Sequence, residues 1–365
     1  MKLLMITRKI DRYDPLAGFA YGWVKKIAQN LENFKVLCLE KGDISDLPAN
    51  VEVYSLGKEK GTSRFGRFWR FQISALKLVP SVDGIFCHMN PEYTIAIAPY
   101  AKIFNKKIVS WYTHGTVTPK LKLMEKAANV ILTASKESFR LPSKKVMVTG
   151  HGIDTAFFHP PAPGQETVSK FYLAGRAPGN LSAFKILSIG RISPTKDYES
   201  LIKAIDILVN DKKIAGLKAD IIGGPGLKEQ QVYLDSLKEM VVAMKLQGMV
   251  SFLGAISNVE TVGHYQDADL FVNLSHTGSV DKAVLEAMAC GNLVLTSNEA
   301  FASILGPDFI VLPNNPRKLA EKIEWVMKLP DEQKKTIREK LRAEVVNHHD
   351  LNNLAKKIVE QFVRK

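Results

Sequence analysis

Cysteine is scarce in this sequence, which argues against sites that depend on several cysteines. The three cysteines lie far apart in apolar runs, and none belongs to a CxxC pair: Cys38, Cys87 and Cys290. Structural zinc sites and redox-active disulfides normally need closely spaced cysteines. We therefore expect three small core side chains in a reduced protein, and no metal centre.

Long apolar runs and an N-terminal leader are also lacking. No segment approaches the roughly 18 consecutive apolar residues that a membrane-spanning helix requires. The run from Met1 to Arg8 is too short for a secretory signal and reaches a charge too soon. The sequence therefore predicts a cytoplasmic protein.

Acidic residues are outnumbered by basic ones. The chain has 37 Asp and Glu against 50 Lys and Arg, a formal net charge of +13. This charge favours an anionic partner, which could be nucleic acid, an acidic membrane face or a phosphorylated substrate, and charge alone does not choose among them. No nucleic-acid-binding motif accompanies the charge, so we expect no nucleic-acid partner.

Length and hydrophobic pattern predict two α/β domains. At 365 residues the chain exceeds what one core usually serves. Short runs rich in Val, Ile and Leu alternate with amphipathic stretches, which is typical of strand-helix-strand units around parallel sheets. Turn-rich residues 155–184 separate two sets of predicted strands, 2–7, 34–39, 51–55, 84–88, 107–111, 129–133 and 145–149, then 185–189, 219–223, 250–253, 270–274, 292–297 and 309–312.

Two predicted strand ends of the second half carry polar loops. Gly190, Arg191 and Lys196 follow one strand, and Asp197 can cap the next helix. A guanidinium fork and an ammonium suit the oxygens of a diphosphate, although two solvated surface charges are an equally good interpretation of this loop alone.

The second loop strengthens the ligand interpretation. Gly278, Ser279, Asp281 and Lys282 lead into a helix that begins near Ala283, whose free N–H groups attract anions. Gly291 is a natural stop for that helix. Glu286 lies one turn into the helix among apolar neighbours. A carboxylate placed there needs donors, and the two hydroxyls of a ribose would supply them.

These two loops resemble the signature loops of glycosyltransferase family 4, with Gly190-Arg191 and Lys196 in one and Leu285-Glu286-Ala-Met-Ala-Cys-Gly291 in the other. The resemblance implies a GT-B fold, in which two Rossmann-like, doubly wound parallel-sheet domains face a central cleft. It implies an acceptor-binding domain at 1–160, a donor-binding domain at 161–346, and a C-terminal helix at about 347–365 that packs back on the first domain. Gly152-Ile-Asp154 and Phe157 resemble the end of that first domain.

The resemblance also implies roles for single residues. Arg191 and Lys196 would hold the donor diphosphate and Glu286 the nucleotide ribose, in a retaining, metal-independent transfer with no cofactor. The family usually has a second glutamate eight positions before Glu286, where this chain has Gly278. That carboxylate normally faces the donor sugar, and Asp281 could reach the same space instead. The donor-binding set is Gly18, Gly190, Gly278, Ser279, Asp281, Lys282, Ala283 and Glu286.

A histidine of the first half completes the predicted catalytic residues. His114 follows a predicted strand and resembles the family's histidine near the reacting sugar. His88, also after a strand, is the competing candidate. Gly18 matches a position where the family generally has a glycine pair approaching the phosphates.

Two other patterns are better explained by structure than by chemistry. Asp267 and Asp269 have the spacing of a metal motif, but they precede a strand, on the side opposite the expected loops. Gly223-Gly-Pro-Gly226 is not the dinucleotide fingerprint, because Pro225 intervenes and no suitable acidic residue follows. We expect it to be a tight turn bordering the donor site.

Residues 58–71 interleave cations with aromatics and lead into an apolar helix. Such a surface could rest on an anionic membrane, giving peripheral contact at its inner face, or its aromatics could pack inward as an ordinary core.

The predicted activity is transfer of a sugar from a nucleotide-diphosphate sugar to a glycan or lipid-linked acceptor, in polysaccharide or cell-envelope glycan biosynthesis. A non-catalytic nucleotide-sugar-binding protein is the alternative. A nicotinamide oxidoreductase ranks below both.

Overall fold

The computed structural model describes residues 1–15, 17–162, 183–275 and 278–363. The chain divides into two compact units, which are described separately below. The first comprises Met1–Asp154, Ser257–Val259 and His348–Lys365, and the second comprises Thr155–Ile256 and Glu260–Asn347. The domain boundaries expected from the sequence, at 160 and 346, stay predictions, and residues 163–182 lie outside the described part.

The first unit is built on a seven-stranded parallel sheet in the order β3-β2-β1-β4-β5-β6-β7. The interior strand β1 contains an apolar run in which Leu3, Leu4 and Met5 are fully buried, as expected where helices cover both faces of a parallel sheet. The strands are β1 (Lys2–Ile10), β2 (Asn33–Lys41), β3 (Val51–Ser55), β4 (Gly84–His88), β5 (Lys107–Trp111), β6 (Val130–Thr133) and β7 (Val146–Val148).

Helices connect the strands of the first sheet: α1 (Gly18–Ala28), α2 (Arg64–Leu78), α3 (Pro91–Ile103) and α4 (Pro119–Ala127). Helix α4 begins where the sequence provides both start signals, because Thr118 accepts a hydrogen bond from the Leu121 N–H and Pro119 occupies the first helical position. Helix α2 buries Phe71, Ala75 and Leu78 in the core.

The second unit has a five-stranded parallel sheet in the order β10-β9-β8-β11-β12. Its strands are β8 (Phe184–Ile189), β9 (Leu217–Ile222), β10 (Val250–Gly254), β11 (Leu270–Asn273) and β12 (Leu293–Thr296). Its helices are α5 (Tyr198–Asp206), α6 (Lys228–Ala243), α7 (Thr261–Asp267), α8 (Lys282–Ala289), α9 (Pro316–Lys328) and α10 (Asp331–His348). The chain order of strands reverses beside β8, which is where doubly wound sheets bind ligands.

Two predicted helix boundaries are confirmed. Asp197 has a left-handed backbone with φ of +46°, and its carboxylate accepts from the Ser200 N–H over 3.3 Å at the start of α5. Gly291 has φ of +82° just after α8, a conformation that glycine adopts without a steric penalty.

The predicted strand at 309–312 is wrong. Pro307–Phe309 forms a short 3-10 turn, and Ile310 makes one isolated parallel bridge to Thr296. Proline provides no backbone N–H, and prolines at 307 and 313 bound this apolar run. Pairing with β12 therefore stops after a single bridge.

The C-terminal helix α11 (Leu351–Val363) belongs to the first unit and packs against α1. The Phe362 ring covers Gly84 of β4, where a Cβ atom would lie 2.2 Å from it. The His151 N–H donates to His349 Nδ1 over 2.9 Å just before α11, and both side chains are buried.

None of the helices among the described residues combines the length and the apolar composition that a bilayer-spanning segment requires.

Candidate functional site

Two loops at the carboxyl ends of neighbouring strands form the candidate site of the second unit. Residues 190–196 follow β8, and residues 278–286 follow β11 and enter α8. Because β8 pairs with β11 in parallel, the two loops leave the same edge of the sheet side by side. We call residues 190–196 and 278–286 the two-loop site.

An ion pair joins the two loops. The Lys196 ammonium contacts the Asp281 carboxylate, and the Asn273 side-chain amide donates to the same carboxylate over 3.1 Å. Desolvation alone would raise the pKa of Asp281. The charge of Lys196 and the hydrogen bonds from Lys196 and Asn273 outweigh it, so that pKa lies below its usual value. Asp281 therefore stays ionised at neutral pH and holds the Lys196 ammonium in place.

Asp281 also caps α8. Its second carboxylate oxygen accepts from the Ala283 N–H over 3.4 Å. The preceding turn needs Gly278, whose φ is +62°, and the Ser279 carbonyl accepts from the Asn298 amide over 2.7 Å. Asp281 thus has two positioning roles in this structure, and the suggestion that it faces the donor sugar stays a prediction.

Glu286 is buried one turn further along α8, with 6% of its surface exposed. The Tyr265 hydroxyl, at the end of α7, donates to Glu286 Oε2 over 2.9 Å, and Tyr265 is itself fully buried. Lys282 lies between Asp281 and Glu286 in sequence. Desolvation lowers the pKa of the Lys282 ammonium, and the charges of Glu286 and Asp281 act in the opposite direction. The start of α8 therefore carries alternating, interacting charges in a largely dry environment.

The backbone beside Arg191 is tightly packed against the glycine-rich turn. At Gly223, with φ of +151°, a Cβ atom would lie 1.8 Å from the Gly190 carbonyl oxygen. The Ile192 N–H donates to the Gly224 carbonyl over 3.2 Å. The turn thus contacts residues 190–192 of the two-loop site, and the expectation that it borders a donor site stays a prediction. The Arg191 side chain itself is exposed and free to meet a ligand from solvent.

The remaining predicted residues lie in the first unit. His114 follows β5 in the loop that leads to α4, and its side chain is exposed. Surrounding protein nevertheless lowers the pKa of His114 by desolvation. Gly18 begins α1, where its N–H donates to the Asp14 carbonyl over 2.9 Å. The roles of His114 and Gly18 stay predictions.

The competing histidine is part of the core. His88 is 1% exposed, its Nδ1 shares a 3.0 Å hydrogen bond with the Thr7 hydroxyl, and its ring lies 4.9 Å from that of Trp23. These contacts favour a structural role for His88.

The Asp267–Asp269 pair is structural, as predicted. Asp267 forms an ion pair with Lys185, and Asp269 accepts from the Lys185 N–H over 2.9 Å, at the amino end of β8. In the part of the chain that the structure describes, no group of three or more His, Cys, Asp or Glu side chains could hold a metal ion.

Sequence reasoning missed Tyr265 and Asn273. The hydrogen bond from Tyr265 to a carboxylate 21 residues later has no local signal in the sequence. Asn273 could have been found, because a polar residue at the end of a buried strand is unusual in an otherwise apolar run.

Comparison with known sequences identifies residues 178–343 as matching the family described as glycosyl transferases group 1. The D-inositol 3-phosphate glycosyltransferase of Kineococcus radiotolerans is 28% identical over 191 residues, 50% of this chain and 42% of that protein. The lipopolysaccharide core biosynthesis mannosyltransferase LpcC of Rhizobium leguminosarum bv. viciae is 25% identical over 190 residues, 52% of this chain and 50% of that protein. The chain thus spans half or less of the length of these relatives.

Solved structures match over the whole chain. Anabaena HepE in complex with UDP has a TM-score of 0.78 at 18% identity, covering 100% of both chains. Sucrose-phosphate synthase from Thermosynechococcus elongatus has a TM-score of 0.73 at 15% identity, covering 100% of this chain and 98% of that one. At these identities the likeness concerns the fold, which is GT-B. Residues 178–343, which contain the two-loop site, therefore match glycosyl transferases group 1, and the chain has the GT-B fold.

Proposed function

We propose that this protein transfers a sugar from a nucleotide-diphosphate sugar to a glycan or lipid-linked acceptor, with retention of anomeric configuration. The observation that carries the proposal is the Lys196–Asp281 ion pair, which fixes an ammonium beside the N-terminus of α8. That ammonium, the exposed guanidinium of Arg191 and the positive end of the α8 dipole together suit the oxygens of a diphosphate. The relatives' names, which include mannosyltransferases and synthases, support catalysis.

The difficult step is departure of the nucleoside diphosphate. As the bond between the anomeric carbon and the phosphate oxygen breaks, negative charge develops on that oxygen. Arg191 and Lys196 would stabilise this charge, and the proton of the acceptor hydroxyl would pass to the leaving phosphate as the new bond forms. Preorganised cations act most strongly on charge that appears only in the transition state.

Glu286 would accept hydrogen bonds from the two ribose hydroxyls. We expect Glu286→Gln to weaken donor binding by about 1.5–2 kcal/mol, roughly 10- to 30-fold, because hydrogen bonds to a charged acceptor are the stronger kind. Titration calorimetry with the donor measures this change. An unchanged donor affinity would remove Glu286 from the site.

Tyr265 would position Glu286 for that task. We expect Tyr265→Phe to cost about 1–2 kcal/mol in stability and to weaken donor binding several-fold, because Glu286 loses a buried hydrogen bond. Tyr233→Phe is the matched control, since it removes a Tyr–Glu bond, to Glu199, that lies outside the two-loop site. Equal loss of donor affinity in both variants would show a general effect of stability.

Thermal-shift measurements with uridine, guanosine and adenosine diphosphate sugars test the donor. A donor at about 100 times its Kd should stabilise the protein by about 2.7 kcal/mol. UDP is bound in the HepE structure, and the mouse relative is named a GDP-Man-dependent enzyme, so both bases belong in the screen. Failure of every nucleotide sugar to stabilise the protein would refute the proposal.

Non-catalytic binding of a nucleotide sugar is the second candidate, favoured by Gly278 in place of the usual glutamate. Transfer to a panel of glycan and lipid-linked acceptors separates the two functions, and anomeric analysis of the product tests retention.

The sugar-transfer proposal includes a catalytic role for His114, a donor-binding role for Gly18, and a cytoplasmic location with peripheral contact at an anionic membrane.

A further inference from the structure

Helix α2 has two apolar faces, and only one of them is buried. Phe71, Ala75 and Leu78 pack into the core of the first unit. The opposite side carries Phe65, Trp69, Ile73 and Leu76, and Phe68 lies between the two faces; each of these five residues is between 52% and 72% exposed. We call these five residues the α2 outer face. The sequence-based alternative that the aromatics of this segment pack inward is wrong for Phe65, Phe68 and Trp69.

The α2 outer face is a continuous stripe. Residues 65, 69, 73 and 76 recur at intervals of three or four, which places them on one side of a helix. The Trp69 ring lies 6.1 Å from the ring of Phe65 and 5.7 Å from that of Phe68. Single exposed apolar residues are ordinary, but a contiguous apolar stripe indicates an interaction surface.

Positive charge surrounds the stripe. Residues 60–82 contain five cations and no Asp or Glu: Lys60, Arg64, Arg67, Arg70 and Lys77. None of these five has an ion-pair partner within the described residues. The adjacent surface therefore presents uncompensated positive charge beside exposed aromatics.

We propose that the α2 outer face docks on the surface of an anionic lipid bilayer. A second copy of the chain fits poorly, because two such faces would bring like charges together. Nucleic acid fits less well, because bases would stack only on the rings of Phe65, Phe68 and Trp69 and would leave Ile73 and Leu76 uncovered. A bilayer surface matches both the apolar stripe and the positive charge. The stripe would insert at the acyl boundary, and the cations would contact the anionic headgroups.

Cosedimentation with vesicles tests this proposal without any measurement of sugar transfer, so its outcome is independent of the proposed function. We expect the protein to bind phosphatidylcholine vesicles that contain phosphatidylglycerol and to bind much more weakly to phosphatidylcholine alone. Phe65→Ser combined with Trp69→Ser should reduce binding at least about tenfold, because each aromatic removes apolar area from the interface. Val232→Ser is the control, since Val232 is an isolated residue of α6 that is 70% exposed.

Tryptophan fluorescence gives a second readout. Of the four tryptophans, Trp69 is exposed, Trp325 is half-buried, and Trp23 and Trp111 are 1% exposed. Anionic vesicles should shift the emission to shorter wavelength, and the shift should be absent in Trp69→Ser. Absence of vesicle binding, or binding that the double substitution leaves unchanged, would overturn the proposal. So would a dimer, or a complex with single-stranded nucleic acid, that forms through these residues when vesicles are not bound.

Discussion

Replacing Arg191 or Lys196 with alanine is expected to slow sugar transfer by roughly 30- to 1000-fold in a protein that remains folded. Each change removes one preorganised cation from the leaving diphosphate, which raises the barrier by about 2–4 kcal/mol. The effect should appear in kcat as well as in kcat/KM, because the stabilised charge develops in the transition state. Lys238→Ala, at an exposed position of α6, is the control.

The two cations differ in one testable respect. Lys196→Ala leaves Asp281 without its ammonium partner and should lower stability, whereas Arg191→Ala should not. Combining Lys196→Ala with Asp281→Asn should recover part of that stability and none of the rate. Near-normal transfer by folded Arg191→Ala and Lys196→Ala proteins would eliminate the proposed mechanism.

Acid is expected to destabilise the first unit through His349. Burial is the largest influence on His349 and, with the charges of His348 and Lys357, lowers its pKa from 6.5 to about 4. Nδ1 of His349 accepts from the His151 N–H and must be unprotonated to do so. Unfolded chains take up this proton near pH 6.5 and folded chains only near pH 4. The stabilisation is therefore complete above pH 6.5 and is lost as the pH falls from 6.5 to 4.

The loss amounts to about 3 kcal/mol, at about 1.4 kcal/mol for each pKa unit. His349→Asn keeps an acceptor for His151 without a titrating ring, so its stability should depend less on pH in this range. Urea unfolding at pH 7 and pH 4.5, followed by the fluorescence of Trp23 and Trp111 near His151, measures the difference. His159→Asn, at an exposed site, is the control. Parallel pH profiles for wild type and His349→Asn would contradict this account.

The parallel strands were predictable because a strand that is buried on both faces consists of consecutive apolar residues, as in Leu3 to Ile6 of β1. The same rule failed at 309–312, an apolar run bounded by prolines, where only Val311 is buried and Leu312 is 66% exposed. A short apolar run therefore predicts neither full burial nor pairing when prolines without an N–H lie at both of its ends.

Polar loops after β8 and β11 could be identified from sequence, because each follows a buried strand and precedes a helix. Their meeting could not, since the pairing of these two strands depends on topology that no local pattern encodes. The Lys196–Asp281 contact spans 85 residues. The hydrogen bond from Tyr265 to Glu286 could not be predicted for a similar reason. An aromatic residue before a strand predicts a core position, but only the fold shows which carboxylate its hydroxyl contacts.

The first unit is assembled from pieces of chain far apart in sequence, with α11 covering Gly84 and residues near 349 bonded to His151. During synthesis, residues 1–154 leave the ribosome long before α11 does. Until α11 is synthesised, the surface of β4 that it covers is exposed, and a chaperone could bind there. A fragment cut after Asp154 would keep that defect permanently, so an isolated first unit should carry residues 348–363 joined through a linker.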